Sequence, residues 1–138
     1  FPGSRRFPQF SSEALALTLA SAGIEYRWIE ALGGRRRPDP DSPNQGWRHP
    51  AFRAYADHVE SPEFAVGLVE LLDVAYGLRT AVMCSELLWW RCHRRLIADV
   101  LVWLGLPTVH IRDENTAEPH RLREPARLVA GQLSYREG

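Results

Sequence analysis

The chain contains no lysine: its 17 basic residues are all arginine. Schiff-base chemistry and a phosphate loop built on lysine are therefore excluded. Any bound anion must be held by guanidinium forks, backbone amides or histidines. Arginine-favouring codon usage would account for the composition, and the exclusion stands under that reading too. Cysteine is nearly as scarce. Two residues, Cys84 and Cys92, are too few for a disulfide framework, which makes a reducing cytosol the default compartment. An excess of one charge is also missing, because 17 acidic residues balance the 17 arginines and the formal net charge is zero. That balance weighs against general nucleic-acid and membrane-surface binding, which draw on a basic excess. No apolar run approaches the roughly 18 residues that cross a bilayer, and no signal-peptide pattern opens the chain.

What is present suits one small core. At 138 residues and 45% hydrophobic, the chain is too short for two ordinary domains. Pro2, Gly3 and Pro8 forbid regular structure at the start. Ser11 or Ser12 caps a helix with Leu15, Leu19 and Ala22 at helical spacing and Gly23 as its stop. Ile24 to Ile29 reads as a strand, rich in aromatic and β-branched residues. The irregular stretch from Leu32 to Trp47 holds Gly33, Gly34 and the triplet Arg35-Arg36-Arg37, and loops this long are often functional.

A short helix is expected from Pro50 to Val59, and Ser61-Pro62-Glu63 is a compact start for another that stops at Gly77. Arg79 to Cys84 reads as a strand, a helix should run from Trp89 or Trp90 to Leu104, and Pro107 to Ile111 is a third strand. A short helix near Glu124 to Ala130 closes the pattern. Strands alternating with helices predict an α/β fold: a small three-layer domain with a mostly parallel sheet flanked by helices.

In such sheets, ligands bind beyond the carboxyl ends of the strands. Cys84 occupies that position, and eight residues later Cys92 and His93 open a helix, followed by Arg94 and Arg95. Free amides at a helix start favour a thiolate or a bound anion. Glu86 adds a carboxylate. Arg95 and Asp99 also have the spacing of an exposed helical ion pair. Each residue has a plain alternative: Cys84 as a small buried hydrophobe, His93 as a backbone-satisfied helix-start residue, Trp89 and Trp90 as packing. A phosphatase-type thiolate loop fails, since the arginine slot holds Trp90 and no glycine lies between. Zinc wants three or four ligands, and Cys84, Cys92 and His93 do not follow a recognised zinc spacing, so no metal and no cofactor are assigned.

Several motifs in one order carry a resemblance. RTAVMCSE, RCHRRLIADVL, the HI after the third strand, ALGGRRR, SPNQGWR and FRAYAD together resemble the bacterial family catalogued as domain of unknown function 488. The resemblance runs from FPGSRRFPQF to Leu122, and its most specific part is Cys84, Glu86, Cys92, His93 and Arg94. It implies a compact α/β domain of about five strands with no established reaction. Family members begin with a further strand, helix and strand, so the resemblance implies a single domain over 1–138 lacking its amino-terminal βαβ portion, with apolar edges for another copy or partner to cover.

Three functions follow as expectations. The first is binding or processing of a small anionic ligand, such as a nucleotide or phosphorylated metabolite. Arg5, Arg6, Gly33, Gly34 and Arg35 would line the mouth, with Cys84, Glu86, Cys92, His93 and Arg94 beneath. Glu86 or His93 would serve as acid or base, and Cys84 as nucleophile or hydrogen-bonding group. The second is a nucleic-acid module using Arg35 to Arg37, Trp47, Arg48 and Arg53. The third is a redox or metal site on Cys84 and Cys92. A homo-oligomer stays open, and no membrane partner is expected.

Overall fold

The computed structural model describes residues 8–138. Helix α1 spans Ser12–Ser21, α2 Pro50–Val59, α3 Pro62–Gly77 and α4 Arg94–Trp103. Short 3-10 turns lie at Pro8–Phe10, Glu30–Leu32 and Trp89–Arg91. Four three-residue strands follow: β1 Val109–Ile111, β2 Ala117–Pro119, β3 Arg127–Val129 and β4 Gln132–Ser134. They form two antiparallel hairpins, β1–β2 and β3–β4, with Val109 facing Pro119 and Leu128 facing Leu133.

This corrects the expected architecture. No mostly parallel sheet is present among the described residues; of the four helices, α2, α3 and α4 carry the core, and two small hairpins attach to it. The segments 24–29 and 79–84 have strand-forming composition but no strand partner among the described residues. Composition makes a chain extended; a strand also needs a second backbone to complete its hydrogen bonds. The third expected strand does form, but it pairs with its neighbour in sequence, the connection closing where Arg112 N–H donates to the Thr116 carbonyl at 2.9 Å.

The tail is also different. A hairpin replaces the helix expected near Glu124 to Ala130, because Ala130 and Gly131 both take positive φ (53° and 79°). Two such residues in succession make the tight turn whose twist suits paired strands. The long helix expected from Trp89 divides into the 3-10 turn and α4.

The starts of α1, α2 and α3 agree with the sequence. Ser11 Oγ accepts from Ala14 N–H at 3.3 Å, and Ser61 Oγ accepts from Phe64 N–H at 3.1 Å with Pro62 leading α3. His49 Nδ1 accepts from Ala51 N–H at 3.2 Å, with Pro50 leading α2. These caps satisfy amides that a helix leaves open. The core joins Tyr55 and Ala56 of α2, Phe64 and Leu71 of α3, and Leu96, Ile97 and Val100 of α4, with Leu32, Trp47, Ala126 and Tyr135. Helix α1 contributes no buried residue.

One charged side chain sits in that core. Asp99 of α4 is buried, not paired on the surface with Arg95 as its spacing suggested. Its Oδ1 lies 2.6 Å from His120 Nε2, its Oδ2 accepts from the Tyr135 hydroxyl at 2.7 Å, and His120 Nδ1 lies 2.8 Å from His110 Nε2. Both hairpins are therefore tied to α4 through one carboxylate. Burial and the Asp99 charge push the Tyr135 phenol well above its ordinary pKa. Removing one partner of a buried pair strands the other in a medium that solvates it poorly. His120→Ala should lower the unfolding free energy by about 3–5 kcal/mol in urea titration; a loss below about 1 kcal/mol would show that Asp99 does not anchor the hairpins.

Candidate functional site

The site is assembled by α2 and the start of α4. Tyr55 donates its hydroxyl to the Leu32 carbonyl at 2.7 Å, and His58 Nε2 lies 2.6 Å from the Ala31 carbonyl. Together they clamp the 3-10 turn at Glu30–Leu32. Arg36 holds the loop that leaves it, donating to the carbonyls of Glu30 (3.0 Å), Ala31 (3.3 Å) and Gly33 (3.1 Å) and to the Glu63 carboxylate (3.3 Å). The middle member of the arginine triplet is therefore a fastener. The clamp lays Gly34 against the His93 imidazole, where an added Cβ would come within 2.9 Å of two ring carbons. Tyr55 borders the same imidazole, with ring centroids 5.1 Å apart.

On the other side, the turn at Trp89–Arg91 delivers Cys92, whose N–H donates to the Trp89 carbonyl at 3.2 Å. Cys92 is buried and Cys84 half-buried. Their sulfurs are 2.8 Å apart, and Cys92 Sγ is 3.4 Å from His93 Nδ1. His93 has no side-chain cap bond at the start of α4; the Cys92 sulfur instead accepts from the Arg94 N–H and Nε–H, each at 3.3 Å. Arg94 Nη2 also donates to the Glu86 carbonyl.

The two thiols are driven apart. Cys84 is lowered to about 6, first by the hydrogen bond from Cys92 and then by the Glu86 N–H (3.2 Å) and the Arg94 charge, against a penalty for burial. Cys92 is pushed up by that same bond and by its burial. One proton serves the pair, and the thiolate resides on the more accessible sulfur. His93 is lowered to about 4 by burial and by Arg94 and Arg36, so near neutral pH its imidazole is uncharged.

The structure brings together Cys84, Cys92, His93, Arg94 and Gly34. Gly33 serves by accepting from Arg36. Glu86 contributes backbone: its carboxylate Oε1 accepts from Leu88 N–H at 3.0 Å and caps the local turn. Arg35 is exposed on the adjoining loop, and Arg5 and Arg6 lie outside the described residues. Trp47, expected as a stacking surface, is buried, and Arg53 Nε donates to its carbonyl at 2.9 Å. Two hollows, of about 410 Å³ beside Arg37 and His58 and about 300 Å³ beside Val102 and Leu106, are not lined by Cys84, Cys92 or His93. The ligand atoms of those three residues lie within 4.8 Å of one another, a set able to hold a soft cation.

Sequence reasoning missed Tyr55 and the support behind Cys92. Trp89 stacks on His110 at 3.8 Å and 2° between planes, and its Nε1–H donates to Glu118 at 2.6 Å. The one available signal was an acid, Asp99, at a position flanked by Leu96 and Val100 on the apolar face of a helix. Arg95, its supposed partner, instead donates to the Glu124 carbonyl at 2.9 Å and lies over the Trp47 ring.

A family model described as "Domain of unknown function DUF488" matches residues 1–101. It takes in every residue of the cysteine cluster and ends within α4. No curated protein and no solved structure matches the chain.

Carboxymethylation of Cys84 should show a pH midpoint near 6. In Cys92→Ala that midpoint should rise towards the ordinary thiol value of about 8.5, because the largest stabilising bond is gone. A midpoint unmoved by the substitution would show that Cys92 does not stabilise the thiolate.

Proposed function

The chain belongs to the DUF488 family, and we propose that in this member the Cys84–Cys92 pair is a thiol–disulfide exchange site. The observation that carries the reading is the 2.8 Å separation of two sulfurs that differ in burial and in proton affinity. An accessible thiolate beside a buried, protonated thiol is the division of labour that exchange requires.

The Cys84 thiolate attacks one sulfur of a disulfide RS–SR′, forming Cys84–S–S–R and releasing R′S⁻, which takes a proton from water. His93 Nδ1, uncharged and 3.4 Å from Cys92, accepts the Cys92 proton. The Cys92 thiolate attacks Cys84 Sγ, closes the intramolecular disulfide and expels RS⁻, to which the imidazolium returns the proton. Two protein thiols are oxidised, and one substrate disulfide is reduced to two thiols. Arg94 holds the Cys92 sulfur through Nε and the Glu86 turn through Nη2.

A soft-metal site on Cys84, Cys92 and His93 is the second reading, supported by their clustering. Zn–S bonds of about 2.3 Å in tetrahedral geometry hold two sulfurs roughly 3.7 Å apart. The observed 2.8 Å favours a direct sulfur pair. An anionic ligand has less support, because Arg36 and Arg94 are engaged by the chain itself and the two hollows lie elsewhere.

Oxidised glutathione at pH 7 should convert the reduced protein to a form with no free thiol and no adduct. Cys92→Ser should stop at one glutathione on Cys84, Cys84→Ser should stay unreactive, and His93→Ala should accumulate the adduct by slowing closure. Two thiols that persist in the wild type, or stoichiometric zinc that protects them, would overturn the exchange reading.

A further inference from the structure

We propose that Trp89 is a positioning residue for the thiol pair: clamped by the hairpin β1–β2, its indole fixes the turn that holds the Cys92 sulfur against Cys84. Its use rests on the exchange reading, in which the two sulfurs must meet. Trp89 is half-buried and is not among the residues of the hydrophobic core. Two imidazoles and a carboxylate surround its ring, an arrangement that fixes orientation more than it fills volume.

The clamp follows from strand register. His110 of β1 and Glu118 of β2 are directly opposed. His120, whose N–H donates to the Thr108 carbonyl at 2.8 Å, extends the pairing just past β2. Opposed residues, and residues two apart along a strand, share a face, so one side of the hairpin presents all three side chains. His110 stacks on the indole at 3.8 Å with 2° between planes, and His120 meets it at 81° with centroids 5.4 Å apart. Glu118 Oε1 accepts from Nε1–H at 2.6 Å, a bond that a charged acceptor shortens and strengthens. Stacking sets the plane of the ring, and the hydrogen bond sets its rotation within that plane.

The hairpin is itself fastened to α4 through His120 and Asp99. The indole is thus fixed to the helix that its own chain is about to enter. Cys92 N–H donates to the Trp89 carbonyl at 3.2 Å, and the Cys92 carbonyl accepts from Arg95 N–H at 3.0 Å. Arg94 holds the sulfur relative to α4; Trp89 holds the chain that brings the sulfur there. A contact such as the 2.8 Å sulfur pair weakens steeply with distance and angle. Slack in the turn is therefore felt as a weaker hold on the Cys84 thiolate. His110, Glu118 and His120 lie beyond residues 1–101 that the family model matches, while both cysteines lie within them.

Carboxymethylation of Cys84 in the reduced protein reads that hold with no disulfide present. Trp89→Ala should raise the pH midpoint by about one unit, and slow closure of the disulfide from the glutathione adduct about tenfold. Trp89→Phe, which keeps the stack, should recover most of both. Should Trp89→Ala fail to fold, Glu118 gives a test whose sign decides. Removing a negative charge by itself favours the thiolate and lowers the midpoint, whereas loss of the indole's acceptor loosens the turn and raises it. Glu118→Ala should therefore raise the midpoint, and Glu118→Gln, which retains an acceptor oxygen, should not.

Trp103 supplies the control, since its Nε1–H donates to the Gly131 carbonyl at 3.0 Å. It ends α4, about 15 Å along the helix from Arg94. Trp103→Phe should lower the melting temperature and leave the midpoint near 6. A midpoint unmoved in folded Trp89→Ala, a lowered one in Glu118→Ala, or an equal rise in Trp103→Phe would overturn the assignment. Failure of the exchange reading looks different: oxidised glutathione would then leave the wild-type thiols free while the midpoint shifts persisted.

Discussion

A carboxylate in a helix bundle of this size must be answered by hydrogen-bond donors, and the answer to Asp99 organises the second half of the chain. His120 and Tyr135 reach it from two different hairpins, over separations of 21 and 36 residues. The carboxylate lies 2.6 Å from His120 Nε2, and His120 Nδ1 lies 2.8 Å from His110 Nε2, so one buried acid is joined in line to two imidazoles. His110 in turn gives Trp89 a flat face to stack on. The Trp89 carbonyl receives the Cys92 amide. A run of short, directional contacts thus leads from the interior of α4 to the sulfur at its start.

From the opposite side the site depends on α2, where Tyr55 and His58 grip two successive carbonyls of the turn at Glu30–Leu32. That grip lets a glycine lie against His93 where any side chain would collide. The imidazole is therefore desolvated and flanked by cations, and it stays neutral. Cys92 is enclosed by the same packing, while Cys84, on a segment without strand partners, stays accessible. Difference in environment between two chemically identical groups is the source of their different proton affinities.

Much of the helical part was legible in the chain. Ser61-Pro62 and Pro50 mark the starts of α3 and α2, and Gly77 closes α3, because capping is settled by residues within one turn of each other. The motif from Cys84 to Arg94 was also visible as a chemical concentration. Its members are close in sequence, so a single turn suffices to gather them. The Ala130-Gly131 turn was missed because Glu124 to Ala130 reads as helical by composition alone, and positive φ at Ala130 is unusual for that residue.

By itself, the amino-acid order determined the boundaries of α2 and α3, the exclusion of lysine chemistry and the gathering of two thiols, an imidazole and a guanidinium on one short stretch. These are local properties, decided by neighbours along the chain. Tertiary structure alone decided that the strand-like segments 24–29 and 79–84 find no partner within the described chain, that Asp99 faces inward, that Gly34 meets His93, and which sulfur carries the thiolate. Strand pairing, burial and proton affinity depend on groups distant in sequence, and only the folded arrangement says which of them meet.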